Sequence, residues 1–101
     1  MAKLGKHLFT FAVIADTHMN QSEDYSSSPY PANALANART RRVIAELNLL
    51  KPEFVVHLGD IVNPVPELPT YAEAAGHFKS QIANLDAPYF VVPGNHDVGD
   101  K

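Results

Sequence analysis

The sequence predicts an α/β domain in which three parallel strands alternate with two helices, in the order β-α-β-α-β. Three observations carry that expectation. Apolar, strand-favouring runs recur at residues 8–15, 53–58 and 89–92; the intervals between them hold apolar residues at helical spacing; and each run ends on a turn bearing acidic, histidine or asparagine side chains. Strands separated by helices pair in parallel through right-handed crossovers, which places all three strand C-termini along one edge of the sheet. Ligands bind at that edge in open α/β sheets, so the topology predicts where a site would lie.

Residues 8–15 read as a strand with apolar side chains at nearly every position, the pattern of a strand covered on both faces. Lys3 and Lys6 ahead of it copy the start of a secretory leader. The apolar stretch is short, however, holds Thr10 and runs into Asp16 instead of a small-residue cleavage site, so a first strand behind a short polar leader is expected. Residues 20–31 form a polar loop with Ser26, Ser27, Ser28, Pro29 and Pro31, too long for a simple connection. Two readings stay open for it, a substrate-facing element and a solvated link. From residue 32 to 50, Ala36, Thr40, Val43, Ile44, Leu47 and Leu50 share a helical face, with Arg39, Arg41, Arg42 and Glu46 mostly opposite. Pro52 closes that helix, residues 53–58 make the second strand, and Pro64, Pro66 and Pro69 stiffen the next loop. Over 70–85, Tyr71, Ala74, Ala75, Phe78, Ile82 and Leu85 line one face of a second helix, and Thr70 and Glu73 have the spacing of a capping box. Ala87-Pro88 leads into Tyr89-Phe90-Val91-Val92, which Pro93 and Gly94 terminate.

Composition narrows the chemistry. The chain has 101 residues, 46% of them hydrophobic and 19% charged, enough for one small domain with a modest core. The net charge is −3 and no run of like charges stands out, so a basic nucleic-acid face is not indicated, although Arg39, Arg41 and Arg42 cluster. With no Cys, disulfides and thiolate metal sites are excluded, leaving His, Asp and Asn as ligand types. No run approaches the roughly 18 apolar residues of a membrane span. A soluble, cytoplasmic protein without a membrane partner is the expectation.

Asp16 and His18 stand two apart. On an extended segment they would project to the same side, where a carboxylate oxygen and an imidazole nitrogen can grip one ion. Taken alone, the pair reads equally as a turn-capping Asp beside a surface His. Gly59-Asp60 puts a carboxylate able to bridge two ions at the end of the second strand, with Gly59 permitting close backbone approach; Gly-Asp is also ordinary turn chemistry. Asn95 offers a neutral oxygen ligand, His96 is placed to reach a substrate, and Asp97 can orient a neighbouring group through a hydrogen bond. Nitrogen and oxygen donors without sulfur suit manganese, iron or zinc.

Asp16-Thr17-His18, Gly59-Asp60-Ile61-Val62-Asn63 and Gly94-Asn95-His96-Asp97, in that order and each behind an apolar strand, resemble the first three signature blocks of the calcineurin-like metallophosphoesterases. The resemblance spans residues 8–97. It implies that residues 1–101 form the N-terminal part of an αββα sandwich, two mixed sheets flanked by helices, whose site holds two divalent metal ions, manganese, iron or zinc. Carried over residue by residue, it implies that Asp16 and His18 hold the first ion, Asp60 bridges both and Asn95 holds the second. His96 would contact the phosphate and protonate the leaving group, with Asp97 supporting from behind. The implied reaction is hydrolysis of a phosphomonoester or phosphodiester by a metal-bridging hydroxide, in a net positive site that draws in the anionic substrate.

The family completes its site with a further His and a Gly-His-x-His block downstream of the third block. Gly76-His77-Phe78-Lys79 is no substitute, since it precedes the third block, lies in a predicted helix and lacks the second His. Asn63 stands where purple acid phosphatases carry a tyrosine, which sets that subclass aside. His77 is expected on a helix surface, His57 in a structural role and His7 exposed near the terminus. The expectation is therefore the N-terminal portion of a phosphoesterase whose activity needs ligands from further sequence or from another chain. The alternative is a non-catalytic metal-binding or protein-interaction module with the same fold. A truncated sandwich exposes apolar sheet surface, so self-association is expected. A nucleotide or small phosphodiester is the favoured substrate, and the acidic balance argues against nucleic acid.

Overall fold

The computed structural model describes residues 5–23 and 26–99; Lys3 of the polar leader, residues 24–25 of the long loop and Lys101 lie outside the described residues. Strand β1 (Phe11–Ile14) is followed by a 3-10 turn (Pro31–Leu35) and helix α1 (Ala36–Leu50). Next come β2 (Phe54–His57), α2 (Tyr71–Ile82), β3 (Tyr89–Val91) and a single helical turn, α3 (Asn95–Val98). The strands pair in parallel in the order β1-β2-β3, with Phe11 beside Phe54 and Val56 beside Phe90. The predicted β-α-β-α-β order thus holds, with shorter strands: β1 begins at Phe11, not at residue 8.

Both helices pack on one face of this sheet. Ile44 and Leu47 of α1 join Ala74, Phe78 and Ile82 of α2 in one buried cluster with Val55 of β2, and Ala12 and Ile14 of β1 pack against it. Burying such a Val, Leu, Ile or Phe side chain contributes roughly 1.5–3 kcal/mol, so this layer carries the fold. α1 stops at Lys51, which turns left-handed (φ 54°) and donates its N–H to the Leu47 carbonyl, with Pro52 blocking continuation.

Two expectations are corrected. The run at 8–15 suggested a strand covered on both faces, but alternation sends Phe11 and Val13 to the face without helices, where they stand 50% and 53% exposed. Phe90 and Val92 extend this open face; Phe11 stacks on Phe54 at 5.1 Å and Phe90 meets Phe54 edge-on at 6.2 Å. Apolar identity says that a face avoids water, not that these residues cover it. Thr70 does stand at the N-cap of α2, but its backbone is already helical (φ −80°, ψ −7°) and its side chain makes no cap bond, so the expected capping box does not form. Among the described residues no helix is long and apolar enough to cross a membrane.

Candidate metal centre

The loops that leave β1 and β2 stay zipped together after the strands end. The Asp16 N–H donates to the Gly59 carbonyl (3.0 Å), His18 N–H to Asp60 (3.1 Å) and Met19 N–H to Ile61 (3.0 Å), while Asn63 N–H returns to Met19 (2.8 Å). Asp16, His18 and Asp60 take φ of 57°, 43° and 55°. That left-handed region is uncommon outside glycine, and Asp, Asn and His are the types that tolerate it best; such strain concentrates at functional sites. The extended segment expected for Asp16 and His18 is therefore wrong. The two side chains converge because the backbone turns at both residues, not because strand alternation aligns them. His18 Nε2 lies 3.4 Å from Asp16 Oδ1 and 3.9 Å from Asp60 Oδ2, and one donor atom from each of the three falls within 4.8 Å of the others.

The third loop is pressed against the second. Gly59 has φ +102°, and a Cβ there would collide with the Gly94 nitrogen and lie 2.7 Å from the Val92 carbonyl oxygen. A Cβ on Gly94 would in turn strike the Asp60 carboxylate. Only glycines let these backbones approach so closely. The chain then makes a helical turn that the sequence reading missed, which brings the His96 N–H to Asp60 Oδ1 (3.0 Å). Asp97 is the brace between the loops: Oδ2 accepts the N–H groups of Gly94 (2.7 Å) and Asp60 (2.8 Å), and Oδ1 that of Ile61 (3.0 Å). Burial pushes its pKa up, but these three N–H donors outweigh that and hold the carboxyl below its ordinary range.

Does this donor set fit a cation? The Asn95 carboxamide lies against the Asp60 carboxylate, with its side-chain nitrogen placed to donate to Asp60 Oδ2 and Oδ1 at 3.2 and 3.3 Å. Asp16, His18 and Asp60 bring two hard carboxylate oxygens and one imidazole nitrogen within 4.8 Å of one another, with the Asn95 carboxamide beside them as a further neutral donor once an ion turns its oxygen inward. The residues fit a divalent ion. His96 stands beside this set, its ring edge-on to His18 at 4.9 Å. Its Nδ1 lies 3.0 Å from the Asn63 carbonyl oxygen, which can only accept, so Nδ1 carries hydrogen and Nε2 is left for other work.

Sequence reasoning undervalued two residues here, Thr17 and His57. His57 is buried on the helix-facing side of β2, its ring edge-on to Phe78 at 5.8 Å. Its Nδ1 accepts the Gly59 N–H (3.0 Å), so Nε2 bears the proton and donates to Thr17 Oγ1 (3.0 Å), whose hydroxyl donates to the Ile61 carbonyl (2.7 Å). One neutral imidazole thus ties the first loop to the second. Burial holds its pKa below the ordinary 6.5, against the pull of Asp97, Asp16 and Asp60. A histidine depressed in this way binds fewer protons folded than unfolded, so stability present above about pH 6.5 is lost as the pH falls through the folded-state pKa. Melting temperatures between pH 7.5 and 5.0 should therefore fall more steeply for the wild type than for His57→Gln. Equal slopes would contradict the neutral brace.

These groups open into a cavity of about 810 Å³, walled further by Tyr30, Arg39 and Val43. A family model described as calcineurin-like phosphoesterase matches residues 9–101. No curated protein matches the sequence. Among solved structures, a dimetal phosphatase from Danio rerio is similar in fold, with a TM-score of 0.67 and 22% identity over 87% of this chain. The chain spans 29% of the length of that structure.

Proposed function

Because the chain belongs to the calcineurin-like phosphoesterase family, we propose that it is the N-terminal, site-bearing part of a metal-dependent phosphoesterase acting on phosphomonoesters or phosphodiesters. Asp16 and His18 would hold one divalent ion and Asn95 a second, with Asp60 shared between them; manganese, iron or zinc suits these donors. The convergence of Asp16, His18 and Asp60 within 4.8 Å is the observation that supports this reading most directly. When bound, such ions supply Lewis-acid charge for phosphoryl oxygens and acidify a water. The chain's own residues do the rest. The His96 N–H orients the Asp60 carboxylate, Asp97 holds the loops in register, and His96, its Nδ1–H anchored on the Asn63 carbonyl, would give the leaving oxygen the Nε2 proton of its imidazolium form. We place this activity in the cytoplasm.

The test is a calorimetric manganese titration of the chain followed by assay of bis(4-nitrophenyl) phosphate and 4-nitrophenyl phosphate. Manganese binding with manganese-dependent release of nitrophenolate is expected. Absence of binding overturns the reading. Binding without turnover favours the second one, a non-catalytic metal-binding module with the same fold.

The open sheet face bears on assembly. Phe11, Val13, Phe90 and Val92 are each at least half exposed and adjoin one another around Phe54. Two such faces can stack about 10 Å apart with their side chains interleaved, and we infer that a second copy of this chain covers the patch. Sedimentation should show a dimer at high micromolar concentration that Phe90→Lys converts to monomer. A wild-type monomer there would rule it out.

A further inference from the structure

On the reading of this cleft as a phosphoesterase site, we propose that the part of its lining made by Tyr30 with Arg39 is a subsite for a flat heteroaromatic leaving group, so that the substrate is a nucleotide-like phosphate ester. The cavity of about 810 Å³ is far larger than a phosphate group needs. It falls within the roughly 300–1,000 Å³ that holds a drug-sized ligand. Its lining is also mixed in character. Beside Asp16, His18, Asp60 and His96 it holds the apolar Pro29, Tyr30, Ala36 and Val43 and one cation, Arg39.

Tyr30 is 73% exposed, yet its place is fixed. Its N–H donates to Ser28 Oγ (3.1 Å), the Ser28 N–H to Ser26 Oγ (3.0 Å), and Ser26 Oγ to the Asn33 side-chain oxygen. Asn33 closes the loop by donating its own N–H to the Tyr30 carbonyl (3.0 Å), and its side-chain nitrogen donates to the His18 carbonyl (3.1 Å). One asparagine therefore ties the backbone that carries Tyr30 to the backbone of His18. Such an arrangement serves a ligand that touches both residues at once. Among the described residues the Tyr30 ring stacks on no other aromatic ring. Among the described residues Arg39 donates only to the Ala32 carbonyl (3.2 Å), which leaves further guanidinium N–H groups for a ligand. A planar ring can stack on the tyrosine and present acceptors to the guanidinium; an aliphatic alcohol would use neither.

Two phosphonates test this without turnover, because a P–C bond replaces the hydrolysable ester linkage: an adenosine 5′-methylenephosphonate and methylphosphonate, titrated into the manganese-loaded chain by calorimetry. The nucleoside compound should bind at least about 10-fold tighter, and Tyr30→Ala should remove most of that advantage while leaving methylphosphonate unchanged; Tyr30→Phe should keep it, since stacking needs the ring and not the hydroxyl. Arg39→Ala should cost the nucleoside compound alone about 3- to 10-fold. Equal affinities of the two compounds, or a Tyr30→Ala loss shared by both, would overturn the subsite while the phosphoesterase reading stood. Failure of both compounds to bind in manganese would overturn both.

Discussion

Asp60→Asn is expected to abolish the proposed manganese-dependent hydrolysis and to lower manganese affinity by at least about 100-fold, while the metal-free protein melts no lower than the wild type. The first half follows from position. Asp60 is the carboxylate common to both proposed ions: one oxygen lies 3.9 Å from His18 Nε2, the other is oriented by the His96 N–H, and the Asn95 carboxamide abuts the same group. An amide keeps the shape but surrenders the charge, and it offers one oxygen where the site needs two. The second half follows from charge and backbone. Asp16 and Asp60 bring carboxylate oxygens into one small volume, so neutralising one removes repulsion in the absence of metal. Asn also tolerates the left-handed φ of 55° at this position, which Ala would not, so Asn is the cleaner substitution. Thermal melts with and without manganese read both halves, since an ion that binds only the folded state raises the wild-type melting temperature. A variant that keeps its manganese shift would remove Asp60 from the site.

The position of the site was legible and its geometry was not. Parallel βαβ topology forces strand C-termini to one edge, so Asp16, Asp60 and Asn95 could be assigned to one neighbourhood from chain order alone. How Asp16 and His18 meet was out of reach, because backbone turns at both residues depend on hydrogen bonds to Gly59 and Asp60, 42 residues or more away along the chain. His57 shows the same limit. Its sequence context is a strand, and nothing local reveals that one nitrogen accepts from Gly59 and the other reaches Thr17, 40 residues back. The open sheet face is the complementary case. Periodicity reads which side chains avoid water, and for Phe11, Val13 and Phe90 it carries no information about what covers them. Tyr30 was legible only as part of a polar loop; its meaning comes from Asn33, which couples that loop to His18.

Asp97→Ala is expected to destabilise the metal-free fold by about 2–3 kcal/mol, and Asp97→Asn to recover no more than half of that. The carboxylate collects three backbone N–H groups from two loops, Gly94 on its own and Asp60 and Ile61 on the neighbour. Alanine leaves all three donors to water in a half-buried place. Asparagine looks conservative but turns one oxygen into an NH₂ group, which would face at least one of these donors hydrogen against hydrogen. Urea denaturation without metal measures this ranking, wild type above Asn above Ala. A purely structural brace would move stability alone, so manganese affinity is the second readout. Asp97 secures the backbone of Asp60 itself, and slack there should weaken binding about 10- to 100-fold even under conditions where the variant remains fully folded. An Asn variant as stable as the wild type would mean that the three N–H groups do not depend on the charge. An Ala variant with unchanged manganese affinity would mean that Asp60 is positioned by the β1 and β2 loops without Asp97.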